Sequence, residues 1–587
     1  MLSRRSFLGV VAASLPLVAM PGRVRAHAMR PRLHALIVGI NTYAGRDARG
    51  PIRPLRGCLN DADDIEQQVR RLQPVHVRRL GWDPMKKEEQ PVTRAGFFEA
   101  WHAMLAEARA GDTLLFTFSG HGSQVPVLPG NPTGEADGMD ETLVLTGYNV
   151  SDGRNGELII DDELDGLFRA AHARGLIVVF VSDSCHSGTV YRKVEWHGVS
   201  YRTLDPDPLA RRRPVAAPRP VAPPAAPPNL LFLAGAQDDE LVPEISIEGR
   251  YRGALSVAVA RALEGRAATD GIVTAYGLAR FVLGHVRDLS DGGQHPQVTW
   301  PTPAIVATSA QAFPAARVRA TPASVLGVSR DTPVIVLAGA SPPPVGPAVQ
   351  VDPVRLRILG LAAAEQQRIV RSLTGAMLVG DDEPVSLIWD AGQKLVLNDQ
   401  GYRLAEKVEA TGLQHAIDRR LALERLGSMR VAGDNGLDMK ILLGDRETPA
   451  SDATHKPGAR LSVVLSGIDD GHYYALFNLA GNGQVEMLEP YPAGPSSLVH
   501  PSFKTGMCKA KGGQEIDIGG VSVKAEGPFG AEHVVAVAGA LPLSRLMPAL
   551  AKAHNEIAVA TAMAGLLQEA EVQPLQVGFR GIYSARD

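Results

Sequence analysis

The sequence predicts an α/β fold, a mostly parallel sheet covered by helices on both faces, followed by a β-rich C-terminal region. Three observations carry that reading. From residue 34 to 185, apolar runs of strand length alternate with stretches whose apolar residues recur at three- and four-residue spacing, the mark of strands alternating with amphipathic helices. The rhythm breaks over a proline-rich stretch and resumes after it. Beyond residue 310 the character changes, and residues 458–545 read as antiparallel β.

Strands are predicted at His34–Asn41, Val75–Leu80, Asp112–Ser119 and Leu176–Val181, with helices between them at Asp61–Leu72, Thr93–Ala108 and Asp161–Ala171. Residues 206–228 hold nine prolines and the basic run Arg211-Arg212-Arg213, the composition of an extended, mobile linker. A strand Asn229–Ala236, helices Gly253–Gly265 and Ala275–Ser290, and an extended Gln297–Ala307 follow. Further on, Gly401–Leu426 reads as helical, and Tyr473–Leu479 and Val485–Leu488 form a hairpin through Gly481-Asn482-Gly483. Helices Ser544–Ala553 and Asn555–Glu571 precede a last strand, Leu575–Ser584. The organisation is a leader at 1–26, α/β parts at 33–205 and 229–309 around the linker at 206–228, a mixed α/β region at 310–450 and a β-rich domain at 451–587.

The chain has 587 residues, 45% hydrophobic and 21% charged, with a formal net charge of −3. This is the composition of a soluble globular protein and excludes a disordered chain, a fibrous rod and a polybasic nucleic-acid binder. Three cysteines without a CxxC pair exclude a disulfide scaffold and a structural zinc site. Ser3-Arg4-Arg5-Ser6-Phe7-Leu8 is a twin-arginine pattern, followed by an apolar run from Phe7 to Met20 and by Val24-Arg25-Ala26. The run is shorter than a bilayer-spanning helix, so a cleaved export signal fits better than the alternative, an uncleaved anchor. Its removal deletes four arginines and takes the charge from −3 to −7.

Two strand ends carry chemistry. Phe116-Thr117-Phe118 runs into Ser119-Gly120-His121-Gly122, and Val179-Phe180-Val181 runs into Ser182-Asp183-Ser184-Cys185-His186-Ser187-Gly188. Ligand sites of parallel sheets lie outside the carboxyl ends of strands. A thiol there needs a base and a partly exposed seat to act as a nucleophile, and glycines let backbone N–H groups approach a substrate oxygen. A lone cysteine after a strand is more often packing, but here a second polar strand end accompanies it.

These motifs resemble those of the caspase-like cysteine peptidases, family C14, in the metacaspase and orthocaspase branch. SGHG at Ser119–Gly122 is the histidine motif, DSCHSG at Asp183–Gly188 the cysteine motif, and Gly57-Cys58-Leu59-Asn60-Asp61-Ala62 matches the GCxxDA segment. The resemblance covers residues 33–307 and implies a three-layer sandwich around a mostly parallel six-stranded sheet. It implies Cys185 as nucleophile, His121 as base, and the N–H groups of Gly122 and Cys185 as oxyanion hole, with His186 facing elsewhere. Asp61 and Asp183 match the acidic specificity pocket, lined also by Cys58 and Ser119, which would favour Arg or Lys through charge-assisted bonds. Asp61 could instead cap the helix that follows it. Self-cleavage at Arg211–Arg213 or Arg219 is the corresponding expectation for the linker, against the bland reading that these arginines only keep it soluble.

The chemistry so implied requires no cofactor. Calcium is an activator in many family members, and Asp140, Asp161 and Asp162 match three of the ligands; the fourth acid is missing from Thr189–Lys193. Oxygen ligands suit calcium, while Asp161-Asp162-Glu163 equally suits a helix N-terminus. Cys508 is expected to be idle, a Cys58–Cys508 disulfide being the alternative. The expected partners are protein or peptide substrates with Arg or Lys at the cleavage site, with no nucleic acid, no stable membrane span and a monomeric chain. The rival reading is a catalytically silent caspase-fold scaffold.

Overall fold

The computed structural model describes residues 31–47, 50–83, 90–127, 139–185, 200–204, 227–237, 240–268, 271–299, 332–337, 352–381, 383–429, 437–443, 446–447, 454–456, 458–489, 508–510, 515–522 and 530–584. In chain order the α/β part comprises β1 (Leu33–Ile40), α1 (Cys58–Arg71), β2 (His76–Trp82), α2 (Arg94–Glu107), β3 (Thr113–Ser119), β4 (Gly122–Pro126), β5 (Met139–Val144), β6 (Leu158–Ile160), α3 (Asp161–Ala173), β7 (Ile177–Asp183), β8 (Leu230–Ala234), α4 (Ala254–Arg261), α5 (Ala275–Leu289) and β9 (Gln297–Thr299). The main sheet has six strands in the order β9-β8-β7-β3-β1-β2. All neighbours are parallel except β9, which runs antiparallel to β8.

The central strands LHALIVGI and TLLFTFS are buried at every residue, and IVVFVSD at all but its first, as strands covered on both faces must be. One face of the sheet packs against α1, α4 and α5, the other against α2 and α3. On the second face Phe116, Phe180 and Phe232 are register partners on adjacent strands, stacked with ring centroids 4.8 and 4.9 Å apart. Thr93 and Thr274 cap α2 and α5 through N–H groups of Gly96 and Gly277. The helix predicted at Gly253–Gly265 is regular only over α4 and ends in a wide turn over Ala262–Arg266, where Gly265 has φ 105°.

The C-terminal half holds a five-stranded sheet and an antiparallel sandwich. In the sandwich a seven-stranded sheet packs its two faces on helices and on a four-stranded sheet. The hairpin around Gly481–Gly483 forms as predicted, Tyr473–Leu479 pairing antiparallel with Gln484–Glu489. Two expectations are corrected. Residues 403–405 form a strand paired with Leu395–Asn398, and the helix begins only at Leu413 and runs to Met429. Pairing across the sheet overrides the local helical spacing there. Strand Asp438–Leu443 pairs with Arg460–Ser466, so the boundary placed at 450 falls inside a sheet; polar residues of an inter-strand connection look like a linker in sequence. No helix of the described residues is long and apolar enough to cross a membrane.

Candidate active site

β3 and β7 are neighbours with Ser119 opposite Asp183, so their polar ends lie side by side at the carboxyl edge of the sheet. His121 and Cys185 follow directly, both buried. The Arg53 carbonyl lies 2.9 Å from His121 Nε2. A carbonyl only accepts, so Nε2 carries the proton and Nδ1 keeps the lone pair. Tyr43 fixes the turn, its hydroxyl accepting the His121 N–H at 2.8 Å. Nδ1 is buried with no hydrogen-bond partner among the described residues, and Cys185 Sγ accepts the Val242 N–H at 3.0 Å.

The chain's own segment Ser200–Leu204 lies through this crevice, held by isolated bridges at Tyr201 and Thr203. The Glu244 N–H donates to the Ser200 carbonyl at 2.8 Å, the Arg202 N–H to the Val242 carbonyl at 2.9 Å, and the Leu204 N–H to the Gly122 carbonyl at 3.0 Å. Tyr201 bridges Pro243 in antiparallel sense. Peptide ligands commonly add a strand in this way. The Arg202 carbonyl oxygen receives two N–H groups, from Gly122 at 3.0 Å and from Cys185 at 3.1 Å. Those are the two donors that the family resemblance assigns to an oxyanion hole. Only glycine fits at 122, because a Cβ there would lie 1.8 Å from the Cys185 carbonyl oxygen.

The Arg202 side chain is fully buried among three acids. Its Nη2 lies 2.6 Å from Asp61 Oδ2, its Nη1 3.2 Å from Asp183 Oδ2, and Glu244 Oε1 is 3.9 Å away. The N-terminus of α4 seats both aspartates: Gly253 N–H donates to Asp61 at 3.0 Å, and Ser256 donates to Asp183 through N–H at 2.8 Å and hydroxyl at 2.6 Å. Ser119 stands behind, its hydroxyl 3.0 Å from that of Ser256. A Cβ on Gly253 would strike Asp183 Oδ2 at 2.0 Å. Glu244 is mostly occupied with the N–H groups of Arg56 and Gly57, which tie down the loop before α1. Asp61 lies within α1 with Gly57 at the cap position; its carboxylate faces the pocket, and the capping alternative is corrected.

Burial depresses the His121 imidazole to about 4, the Arg202 charge adding to it. Burial pushes the Cys185 thiol up to about 12 against the opposing Val242 N–H. Both groups are therefore neutral near pH 7 in this closed arrangement. Burial also raises Asp61 to about 7; Arg202 opposes that and Asp183 reinforces it. Burial alone would lower the Arg202 guanidinium, but Asp183, Cys58, Asp61 and Glu244 together hold it charged. Iodoacetamide at pH 8 is therefore expected to label Cys185 at least about tenfold more slowly in the intact chain than in Arg202→Ala, where the side-chain anchor of the segment is gone. Equal rates would contradict this occlusion.

The remaining sequence assignments divide. Cys58 is a free, buried thiol in the field of Arg202, which corrects the disulfide alternative. His186, Thr189–Lys193, Arg211–Arg213 and Arg219 lie outside the described residues, as does the side chain of Cys508. Asp140 sits in β5, and Asp161 and Asp162 open α3. Among the described residues no group of three or more His, Cys, Asp or Glu could hold a metal ion. Sequence reasoning missed Arg202, Glu244, Val242, Arg53 and Ser256. None carried a local signal: Arg202 is one of several basic residues between the cysteine motif and the linker.

A family model described as metacaspase, peptidase C14 domain, matches residues 33–193. A metacaspase-1 of Coccidioides immitis is 35% identical over 160 residues, 26% of this chain and 31% of the relative. A metacaspase-1B of Aspergillus fumigatus is 25% identical over 283 residues, 41% of this chain and 64% of the relative. The chain thus spans less than two thirds of either relative. A crystal structure of a Geobacter sulfurreducens protein aligns at 25% identity over 46% of this chain and 95% of that one, with a TM-score of 0.33. The matched span carries both strand-end motifs and Asp61, and over residues 33–193 the chain is similar to the metacaspase branch of the C14 peptidases.

Proposed function

We propose that the chain is an exported, monomeric cysteine endopeptidase that cuts after arginine with Cys185 as nucleophile and His121 as base, and that Ser200–Leu204 keeps it closed until its own site cuts the Arg202–Thr203 bond. One observation carries the reading: Arg202 places its side chain among Asp61, Asp183 and Glu244 while its carbonyl accepts from Gly122 and Cys185. A scissile arginine and its carbonyl would be held in this way.

In the reaction His121 Nδ1 takes the thiol proton and Sγ attacks the Arg202 carbonyl carbon. The oxyanion stays on the two N–H groups, and the imidazolium returns its proton to the Thr203 nitrogen as the C–N bond breaks. Water then attacks the thioester with His121 again as base, releasing the Arg202 carboxylate and freeing Cys185. The cut expected at 211–219 in the linker moves upstream to residue 202 in this reading.

The pocket favours Arg over Lys. Two carboxylates on different elements each meet one arm of the guanidinium, a fork that a single ammonium cannot span. Fluorogenic peptides ending in Arg are expected to exceed those ending in Lys by about tenfold or more in kcat/KM, since losing one charge-assisted bond costs about 1.5–3 kcal/mol. Binding should also expel a proton. Asp61 sits at about 7 with the guanidinium present and higher without it, so KM for Arg peptides is expected to fall as pH rises above 7. A KM flat from pH 6.5 to 8.5 contradicts that linkage.

The decisive assay compares Arg, Lys and Asp peptides, with Ca²⁺ and with EDTA, for wild type and Cys185→Ala. Cys185-dependent turnover of Arg peptides is expected. No such turnover under any condition leaves a caspase-fold scaffold, and cleavage of the Asp peptide alone overturns the pocket. The twin-arginine leader lies outside the described residues; fractionation of cells with and without an Arg4→Lys/Arg5→Lys pair tests export.

A further inference from the structure

The C-terminal half reaches the crevice. The Tyr201 hydroxyl donates to the Gln400 carbonyl at 3.3 Å, across 199 residues of sequence. Gln400 lies in the turn between strands Leu395–Asn398 and Arg403–Ala405. That turn is rigidly built: Asn398 Oδ1 accepts the N–H groups of Gln400 at 3.0 Å and Tyr402 at 2.9 Å. It is also bolted to the peptidase part. Asn398 Nδ2 donates to Asp291 at 3.2 Å, Asp399 accepts the Ser246 N–H at 2.5 Å, and the Tyr402 ring covers Gly293 so closely that a Cβ there would lie 2.4 Å from it. Arg419, in the helix that follows, reaches Asp291 at 3.3 Å. The Gln400 side chain is 1% exposed, and neither of its polar atoms has a hydrogen-bond partner among the described residues.

We propose that the turn Asn398–Tyr402 is the subsite for the residue preceding the scissile arginine, and that it selects tyrosine there, making Tyr-Arg the preferred substrate sequence. The inference rests on the reading of Ser200–Leu204 as substrate-like. The ligand is a peptide strand whose aromatic ring lies against the turn and whose hydroxyl meets the Gln400 carbonyl. The C-terminal half is then part of the substrate site of the peptidase.

The test uses the full chain carrying Arg202→Ala and four peptides with Tyr, Phe, Leu or Gly before Arg. Tyr is expected to exceed Phe about 3- to 10-fold in kcat/KM, the loss of one neutral hydrogen bond, and to exceed Gly by more. Asn398→Ala is expected to bring the Tyr-to-Gly ratio toward one. Tyr201→Gly in the otherwise native chain, a change on the segment rather than in the scaffold, is expected to slow the cut after Arg202. Equal rates on the four peptides, an unchanged ratio in Asn398→Ala or unslowed self-cleavage in Tyr201→Gly overturn the subsite while leaving arginine specificity intact. Failure to cut any Arg peptide overturns the functional reading, and this one with it.

Discussion

The Arg202→Ala chain is expected to remain uncut and yet to hydrolyse an external Arg peptide without a lag, whereas wild type shows a lag that ends as the Arg202–Thr203 bond is cleaved. The segment has two anchors, the backbone pairs to Gly122, Cys185, Val242 and Glu244, and the side chain among the acids. Backbone pairs net about 0.5–1.5 kcal/mol each, and charge-assisted ones about twice that. Removing the guanidinium also leaves Asp61 and Asp183 facing each other in a buried pocket, which draws in water and releases the segment. Progress curves with an Arg peptide, read beside a gel, check both halves. A lag in Arg202→Ala equal to that of wild type would show that the segment does not gate the site.

Asp61→Asn is the second large effect. The oxygen of the new amide could still accept the Gly253 N–H, as Asp61 Oδ1 does at 3.0 Å, but its NH₂ would then face the guanidinium arm now 2.6 Å from a carboxylate oxygen. Breaking a buried ion pair costs about 3–5 kcal/mol, or roughly 150- to 5,000-fold in kcat/KM for Arg peptides. Self-cleavage should slow in parallel because the same pocket grips Arg202. A melting temperature near that of wild type would separate this from misfolding. Arg-peptide activity retained within a few-fold would remove Asp61 from the pocket.

The two polar strand ends were legible because a buried parallel strand that stops at Gly-bearing polar residues is conspicuous, and His121 and Cys185 stand at two such stops. Asp61 was legible only through the block around it, since an acid near a helix start also reads as a cap. Arg202 and Glu244 were not. Ser200–Leu204 is too short to show an alternating pattern, and its strand exists only through pairing with Gly122 and residues 242–244. The cluster Arg211–Arg213 attracted attention by charge density, while burial of one isolated arginine against acids from three separate elements leaves no local mark. The helix expected from Gly401 failed for a related reason. Residues 403–405 have helical spacing in sequence but are claimed by a strand partner, and the turn so formed is what meets Tyr201.

Self-cleavage after Arg202 by Cys185 is tested most directly by intact-mass and N-terminal analysis of the purified full chain beside Cys185→Ala. The wild-type chain is expected to yield a fragment beginning at Thr203, absent from Cys185→Ala. A wild-type chain cut only at 211–219, or cut after Arg202 in both proteins, would contradict it.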